Sequence, residues 1–475
     1  MGQTTVRVES IEIANFKNVS FGKLVLENTK PEYRASILGL NGSGKTALID
    51  ALELLKLVLS GKSIPSFFAD YINVDSVFAT LKYGFKVEDS SKKNIYHVFY
   101  EVCLRKDIND SEYNTKEIVA NPSHKVTLFD EVLSYSCEAN GQKSRLSPII
   151  DTRSTSELPF VPKVKYNKLI GREKEAATNL TVAKQLACET SRSFIFSKSL
   201  LNQIRKNCTD DSCQFLIESL IFFGNYRLFV INTTNTGLIS MNILPLAFNY
   251  AEHGTASVGN LMLKLDEPSS IPEGALSLVH KVVNSMNIVL NQLIPGLTID
   301  VKTVGQQLQS NGAREYLVQL ISRKNSKEIP LRYESEGIKK LVSVLQLLIV
   351  AYNEPCMTVA IDELDSGIFE YLLGEILRIL SEKGKGQLIF TSHNLRPLET
   401  IDKSFIAFTT TNPHNRYIRL CNVKATNNLR DFYYRDIVLG SQSESVYEPT
   451  NNSEIAMAFR EAGIRRDKGV AQLYH

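Results

Sequence analysis

The stretch "ASILGLNGSGKTALIDALELLKLVL", Ala35–Leu59, decides the architecture. Its first six residues, Ala35–Leu40, are a short apolar run bounded by glycine and read as a buried strand. From Thr46 to Leu59 the apolar residues fall at helical spacing. Between them, Gly39–Thr46 fits G-x-x-x-x-G-K-[ST]. Such a match arises by chance in on the order of 2% of chains this long, so its context matters. Here a strand leads in and a long helix leads out, as phosphate binding requires. The loop amides at Gly39, Asn41, Gly42, Ser43 and Gly44 and the helix N-terminus would face phosphate. Lys45 would reach the β- and γ-phosphates of ATP, and Thr46 would offer its hydroxyl to Mg²⁺.

Three later stretches carry complementary chemistry. "MTVAIDE", Met357–Glu363, is an apolar strand ending in two acids. A carboxylate at such a strand end costs solvation unless a cation meets it. Asp362 is expected to hold Mg²⁺, and Glu363 to polarise an attacking water. "LIFTSHN" ends another strand on His393, which suits a γ-phosphate sensor once a P-loop and an acid pair are present. "YESEGIKKLVSVLQLL", Tyr333–Leu348, opens a helix with Ser335, Glu336 and Gly337. A hydroxyl and free amides at a helix start form an anion site, although a plain helix cap reads equally from the residues.

The chain has 475 residues, 43% of them hydrophobic and 22% charged, with a net charge of +3. A substantial core is therefore expected, and charge alone does not make this a nucleic-acid coat. Its 7 cysteines are scattered without a C-x-x-C pair, which fits reduced thiols and a cytoplasmic location rather than a zinc site. No signal-peptide pattern opens the sequence, and no clean run of about 18 apolar residues occurs, so no membrane partner is expected.

Strand patterns run from Val6 to about Ser136, apart from the P-loop helix, within an N-terminal lobe of 1–165. The stretch 166–296 reads as a mostly helical insertion, as in "TSRSFIFSKSLLNQIRK" and "GALSLVHKVVNSMNIVLNQLI". Strands and the Ser-Glu-Gly helix return in 297–440, and 441–475 is a polar tail with one short helix near Glu454–Glu461. In that tail Ile455, Met457 and Phe459, with Arg465, Arg466 and Lys468 after them, are a candidate partner contact.

The order P-loop, Ser-x-Gly helix start, Asp-Glu strand, histidine strand resembles that of ABC-type ATPases, with "ESEGI" where transporter-like members carry "LSGGQ". The opening "VESIEIANFKNVSFGKLVLEN" looks like the RecF, SMC and OLD-like branch, in which residues equivalent to Lys17 and Asn18 lie near the nucleotide. "SEGIKKL", "AIDELDSGI" and "SHNLRPLE" resemble the stand-alone ATPases of two-gene anti-phage systems such as PARIS and Septu. The resemblance implies an α/β fold: an ABC-ATPase head with mixed and parallel sheets, interrupted by the helical insertion. It implies a homodimer of heads, or a higher even-numbered oligomer, in which Ser335 and Gly337 close over ATP held by a partner subunit. Asp365 matches the dimer-contact loop. No glutamine loop can be placed. About eighty residues follow His393, too few for the TOPRIM nuclease of OLD and Gabija proteins. The implied role is therefore an oligomeric scaffold and sensor that holds a separate nuclease or toxin effector until a phage trigger protein acts. The alternative is a DNA-binding repair ATPase similar to RecF or short SMC proteins. For it the basic run Lys163, Lys165, Lys168, Arg172 and Lys174 is the best candidate DNA contact.

Overall fold

The computed structural model describes residues 4–26, 35–38, 44–89, 94–108, 124–139, 141–154, 158–252, 255–308, 314–419, 429–431, 433, 435, 444–446 and 451–471. The fold is mixed α/β, with antiparallel and parallel sheets.

A seven-stranded antiparallel sheet comes mostly from the N-terminal part. Its strands are β1 (Thr4–Phe16), β2 (Val19–Val25), β4 (Phe78–Asp89), β5 (Asn94–Ile108), β6 (His124–Ala139), β7 (Gln142–Lys143) and β8 (Ser147–Asp151). They run in the order β2-β1-β4-β5-β6-β7, with β8 also on β6. Along β4 the alternation Ala79, Leu81, Tyr83, Phe85, Val87 puts one apolar face inward, and all five are buried.

The second sheet has six strands: β3 (Ala35–Leu38), β9 (Leu228–Ile231), β16 (Thr358–Ile361), β17 (Gln387–Ser392), β18 (Ile406–Thr409) and β19 (Tyr417–Ile418). Their order is β19-β18-β3-β17-β16-β9. All pairings are parallel except that of β18 with β19. Helix α1 (Lys45–Leu59) lies between the two sheets. Its apolar residues Ala47, Leu48, Ile49, Ala51, Leu52, Leu54, Leu55, Val58 and Leu59 are buried on every side, the pattern of a central helix rather than a surface one. Each large side chain there contributes roughly 1.5–3 kcal/mol of burial. Gln387 ties the sheets together: its Nε2 donates to Val8 O at 2.8 Å, and its Oε1 accepts from Val8 N at 3.1 Å.

A hairpin, β10 (Ile243–Glu252) with β11 (Thr255–Lys264), precedes a four-stranded antiparallel sheet. That sheet comprises β12 (Ser269–Pro272), β13 (Leu297–Leu308), β14 (Arg314–Lys324) and β15 (Lys327–Pro330). The helices after α1 are α2 (Lys163–Leu169), α3 (Lys174–Glu189), α4 (Lys198–Asn207), α5 (Asp211–Phe222), α6 (Thr233–Ser240), α7 (Glu273–Leu293), α8 (Glu336–Asn353), α9 (Glu370–Lys383), α10 (Pro397–Thr400) and α11 (Asn452–Ala471). A second core joins α7, α8 and α9 to β9, β16 and the four-stranded sheet.

The span 166–296 holds more helix than strand, but β9, β10, β11 and β12 also lie within it, and β9 belongs to the central parallel sheet. The four-residue run "LFVI" is too short for periodicity to separate strand from helix. The stretch "TSRSFIFSKSLLNQIRK" becomes helical only at Lys198. Buried Glu131 on β6 holds the residues before it out of a helix. It accepts from Phe194 N at 2.7 Å, from Tyr100 OH at 2.8 Å, and from the Ser193 hydroxyl.

Candidate functional site

The register of the parallel sheet aligns the carboxyl ends of four strands. Ile231 pairs with Ile361, Ile361 with Phe390, and Ser392 with Leu38. The residues that follow, Asn232, Asp362 and His393, therefore emerge at one edge, next to the turn that starts α1. In open α/β sheets this edge is where ligands bind.

Of the P-loop, Gly39, Asn41, Gly42 and Ser43 lie outside the described residues. Gly44 is the N-cap of α1, with φ 92°. A β-carbon there would lie 2.9 Å from Val19 Cγ2 and 3.0 Å from Arg416 Cγ, so both conformation and space require glycine. Lys45, the first residue of α1, is buried, and its Nζ lies 3.0 Å from His393 Nδ1. Burial pulls the Lys45 pKa down to about 8, against the opposing charges of Asp365, Asp362 and Glu363. Thr46 follows, half-buried.

Asp362 is 0% exposed. Its Oδ1 accepts from the Thr391 hydroxyl, while its Oδ2 is buried without a hydrogen-bond partner. A buried carboxylate oxygen left in this state fits a cation. One carboxylate plus the Thr46 hydroxyl is a donor set suited to Mg²⁺ that shares its shell with phosphate and water. Glu363 adopts φ 46°, a left-handed conformation that a non-glycine residue rarely takes. Its amide donates to Thr391 Oγ1 at 2.8 Å, so one threonine fixes both acids. Glu363 Oε1 stands 3.5 Å from His393 Nε2. The imidazole thus bridges Lys45 and Glu363.

Asp365 works within its own chain: Oδ2 accepts from His393 N at 3.1 Å and from Asn394 N at 2.9 Å. Ser335 caps α8 through Ile338 N at 3.3 Å and is itself exposed. Gly337 packs on the loop after Asp365, since a β-carbon there would lie 2.1 Å from Gly367 O. Lys17 and Asn18 occupy the turn between β1 and β2. Lys17 forms an ion pair with Asp50 of α1 and lies 3.9 Å from the Tyr71 ring centroid. Asn18 is exposed, and its carbonyl accepts from Arg416 Nη2 at 2.6 Å.

Four residues here went unread in the sequence. Thr391 was signalled only by a polar residue inside an apolar strand. Asn232 follows β9, and its Nδ2 donates to Glu53 Oε2 of α1 at 2.6 Å. Lys340 of α8 is buried, its pKa drawn down to about 8 by burial and opposed by Asp362, Glu363 and Asp365. Arg416 is the fourth.

No family model matches the chain, and neither does any curated protein. Among solved structures it is similar to an Smc head with coiled coil and joint from Pyrococcus yayanosii. The TM-score is 0.42 and the identity 11%, over 90% of this chain and 100% of that one. An Smc head with an extended coiled coil from Pyrococcus furiosus, bound to the C-terminal domain of ScpA, gives 0.40 and 14%, over 87% and 96%. The ATP-bound recombination mediator RecF gives 0.33 and 14%, over 82% and 94%. Among the described residues, no helix is long and apolar enough to cross a membrane.

Proposed function

We propose that this chain is an ABC-type ATPase that binds ATP with Mg²⁺ and hydrolyses it to ADP and phosphate. The observation that carries this reading is the meeting of Lys45, Asp362, Glu363 and His393 at the carboxyl edge of the parallel sheet. Lys45 and the amides around Gly44 hold the phosphates. Mg²⁺, when bound by Thr46 and Asp362, neutralises charge on the transferred phosphoryl group. Glu363 accepts a proton from the attacking water as the bond from the γ-phosphorus to the ADP oxygen breaks. His393 donates to the γ-phosphate, with Lys45 on one side and Glu363 on the other. The deciding test is ATP affinity in wild type and in Lys45→Ala. The variant should lose binding, and equal affinity would overturn the site.

The finer reading rests on the sequence resemblance. Two heads pair so that Ser335 and Gly337 of the partner subunit close over each ATP. The assembly then scaffolds a separate nuclease or toxin in anti-phage defence. Expression with neighbouring genes and purification under ATP should yield that effector in fixed ratio. A lone dimer carrying DNA would instead favour the repair-type reading.

A further inference from the structure

Arg416, just before β19, is 6% exposed. Its guanidinium donates to two backbone carbonyls, Thr410 O at 2.7 Å from Nη1 and Asn18 O at 2.6 Å from Nη2. Its Nε is buried without a partner. The stem runs across the start of α1: a β-carbon on Gly44 would lie 3.0 Å from Cγ and 3.2 Å from Cδ. Next door, Tyr417 OH donates to Gly44 O at 2.8 Å.

The hydrogen bonds satisfy part of the guanidinium, but they do not neutralise it. Among the described residues no carboxylate forms an ion pair with it, and the ionisable group that acts on its charge is the Tyr417 phenol. The five residues that precede Gly44 in the sequence include no acidic residue either. A buried cation without a counter-ion is costly, and burial lowers the pKa of this one. The anion that would balance it belongs at the same helix start.

We propose that Arg416 is a phosphate-binding residue, which supplies its charge from the β18–β19 turn to a nucleoside di- or triphosphate seated at the N-terminus of α1. This rests on the ATP-site reading above. It also gives the turn at Asn18 a reason to sit by the nucleotide, since Arg416 pins the Asn18 carbonyl there. Two phosphates present more charge to the guanidinium than one, so ATP and ADP are favoured over AMP.

The test is calorimetric affinity for ATP, ADP and AMP at two salt concentrations, in wild type, Lys45→Ala, Arg416→Gln and Arg416→Lys. Arg416→Gln should lose on the order of tenfold in affinity for ATP and ADP, with a weaker salt dependence and little change for AMP. Arg416→Lys keeps the charge but not the two-carbonyl fork, so it should lose affinity too, by less than Arg416→Gln, about threefold. If both variants lose affinity alike, or neither loses any while Lys45→Ala does, the proposal is overturned and the ATP site stands. If both fail to fold, Arg416 is a structural clasp and the proposal is also overturned. If wild type and Lys45→Ala bind ATP equally, the ATP site itself is wrong.

Discussion

Thr391→Val removes one hydroxyl and almost no volume, yet two functional groups depend on that hydroxyl. Asp362 Oδ1 loses its donor, and its Oδ2 already has none, so a fully buried carboxylate would keep no hydrogen bond. The Glu363 amide loses the acceptor it meets at 2.8 Å. Each stranded group costs about 1–3 kcal/mol, which gives a destabilisation of about 2–6 kcal/mol. The second loss also frees a residue held at φ 46°, a conformation worth roughly 1–2 kcal/mol of strain. Glu363 should relax away from His393, and turnover should fall by about tenfold or more, because a displacement near 1 Å is enough for that. Thr391→Ser keeps the hydroxyl and should recover most of both losses. The assays are urea denaturation without nucleotide and steady-state ATP turnover. A valine variant within about 0.5 kcal/mol of wild type and with full turnover would refute the idea that Thr391 sets the two acids.

Glu363→Gln should retain ATP affinity and lose turnover by at least about a hundredfold, read by nucleotide binding beside phosphate release; undiminished release would place the base elsewhere. Ser335→Arg adds a long cation at an exposed helix start, so ATP binding to a single head should persist while turnover and head pairing fail; normal turnover would exclude a composite site. Burial raises the Asp50 pKa from 3.8 to about 6, against the nearby Lys17 ammonium. The folded state therefore holds this proton more tightly than the unfolded one, and the Asp50 contribution to stability falls as pH rises from about 4 to about 6. The stability difference between wild type and Asp50→Asn should drop by about 3 kcal/mol across that window, and a flat or rising difference would contradict the burial account.

The positions of Lys45 at the start of α1, and of Asp362, Glu363 and His393 after strand ends, were legible because each follows a local pattern of strand or helix. Strand ends could be found by apolar runs, and the chemistry followed within one or two residues. What could not be read was set by distance along the chain. Thr391 acts on Asp362 and Glu363 from 28 or 29 positions away. Arg416 reaches Asn18 across 398 positions. Asn232 became visible only once β9 paired with β16, and "LFVI" carries no signal to separate that strand from the helices before it. The strands β10, β11 and β12 inside the mostly helical span 166–296 went unread for the same reason.

The residues expected to face a partner subunit already have duties at home, and this bears on how closure could be sensed. Ser335 caps α8, Gly337 touches the backbone at Gly367, and Asp365 in that same loop carries the amides of His393 and Asn394. The contacts run from the imidazole beside Lys45, through Asp365 and Gly367, to the exposed start of α8. Glycine is required at Gly337 by this packing alone, so its presence is not by itself a mark of anion binding. The exposed Ser335 hydroxyl and the helix dipole still point outward, where an anion from another subunit could meet them. If one does, the force on α8 arrives at Gly367 and so at the loop that fixes His393. A second subunit would thereby act on the geometry of the first site as well as covering its own. Close backbone packing at Gly337 would carry such a force, because a packed contact shifts as a unit rather than yielding.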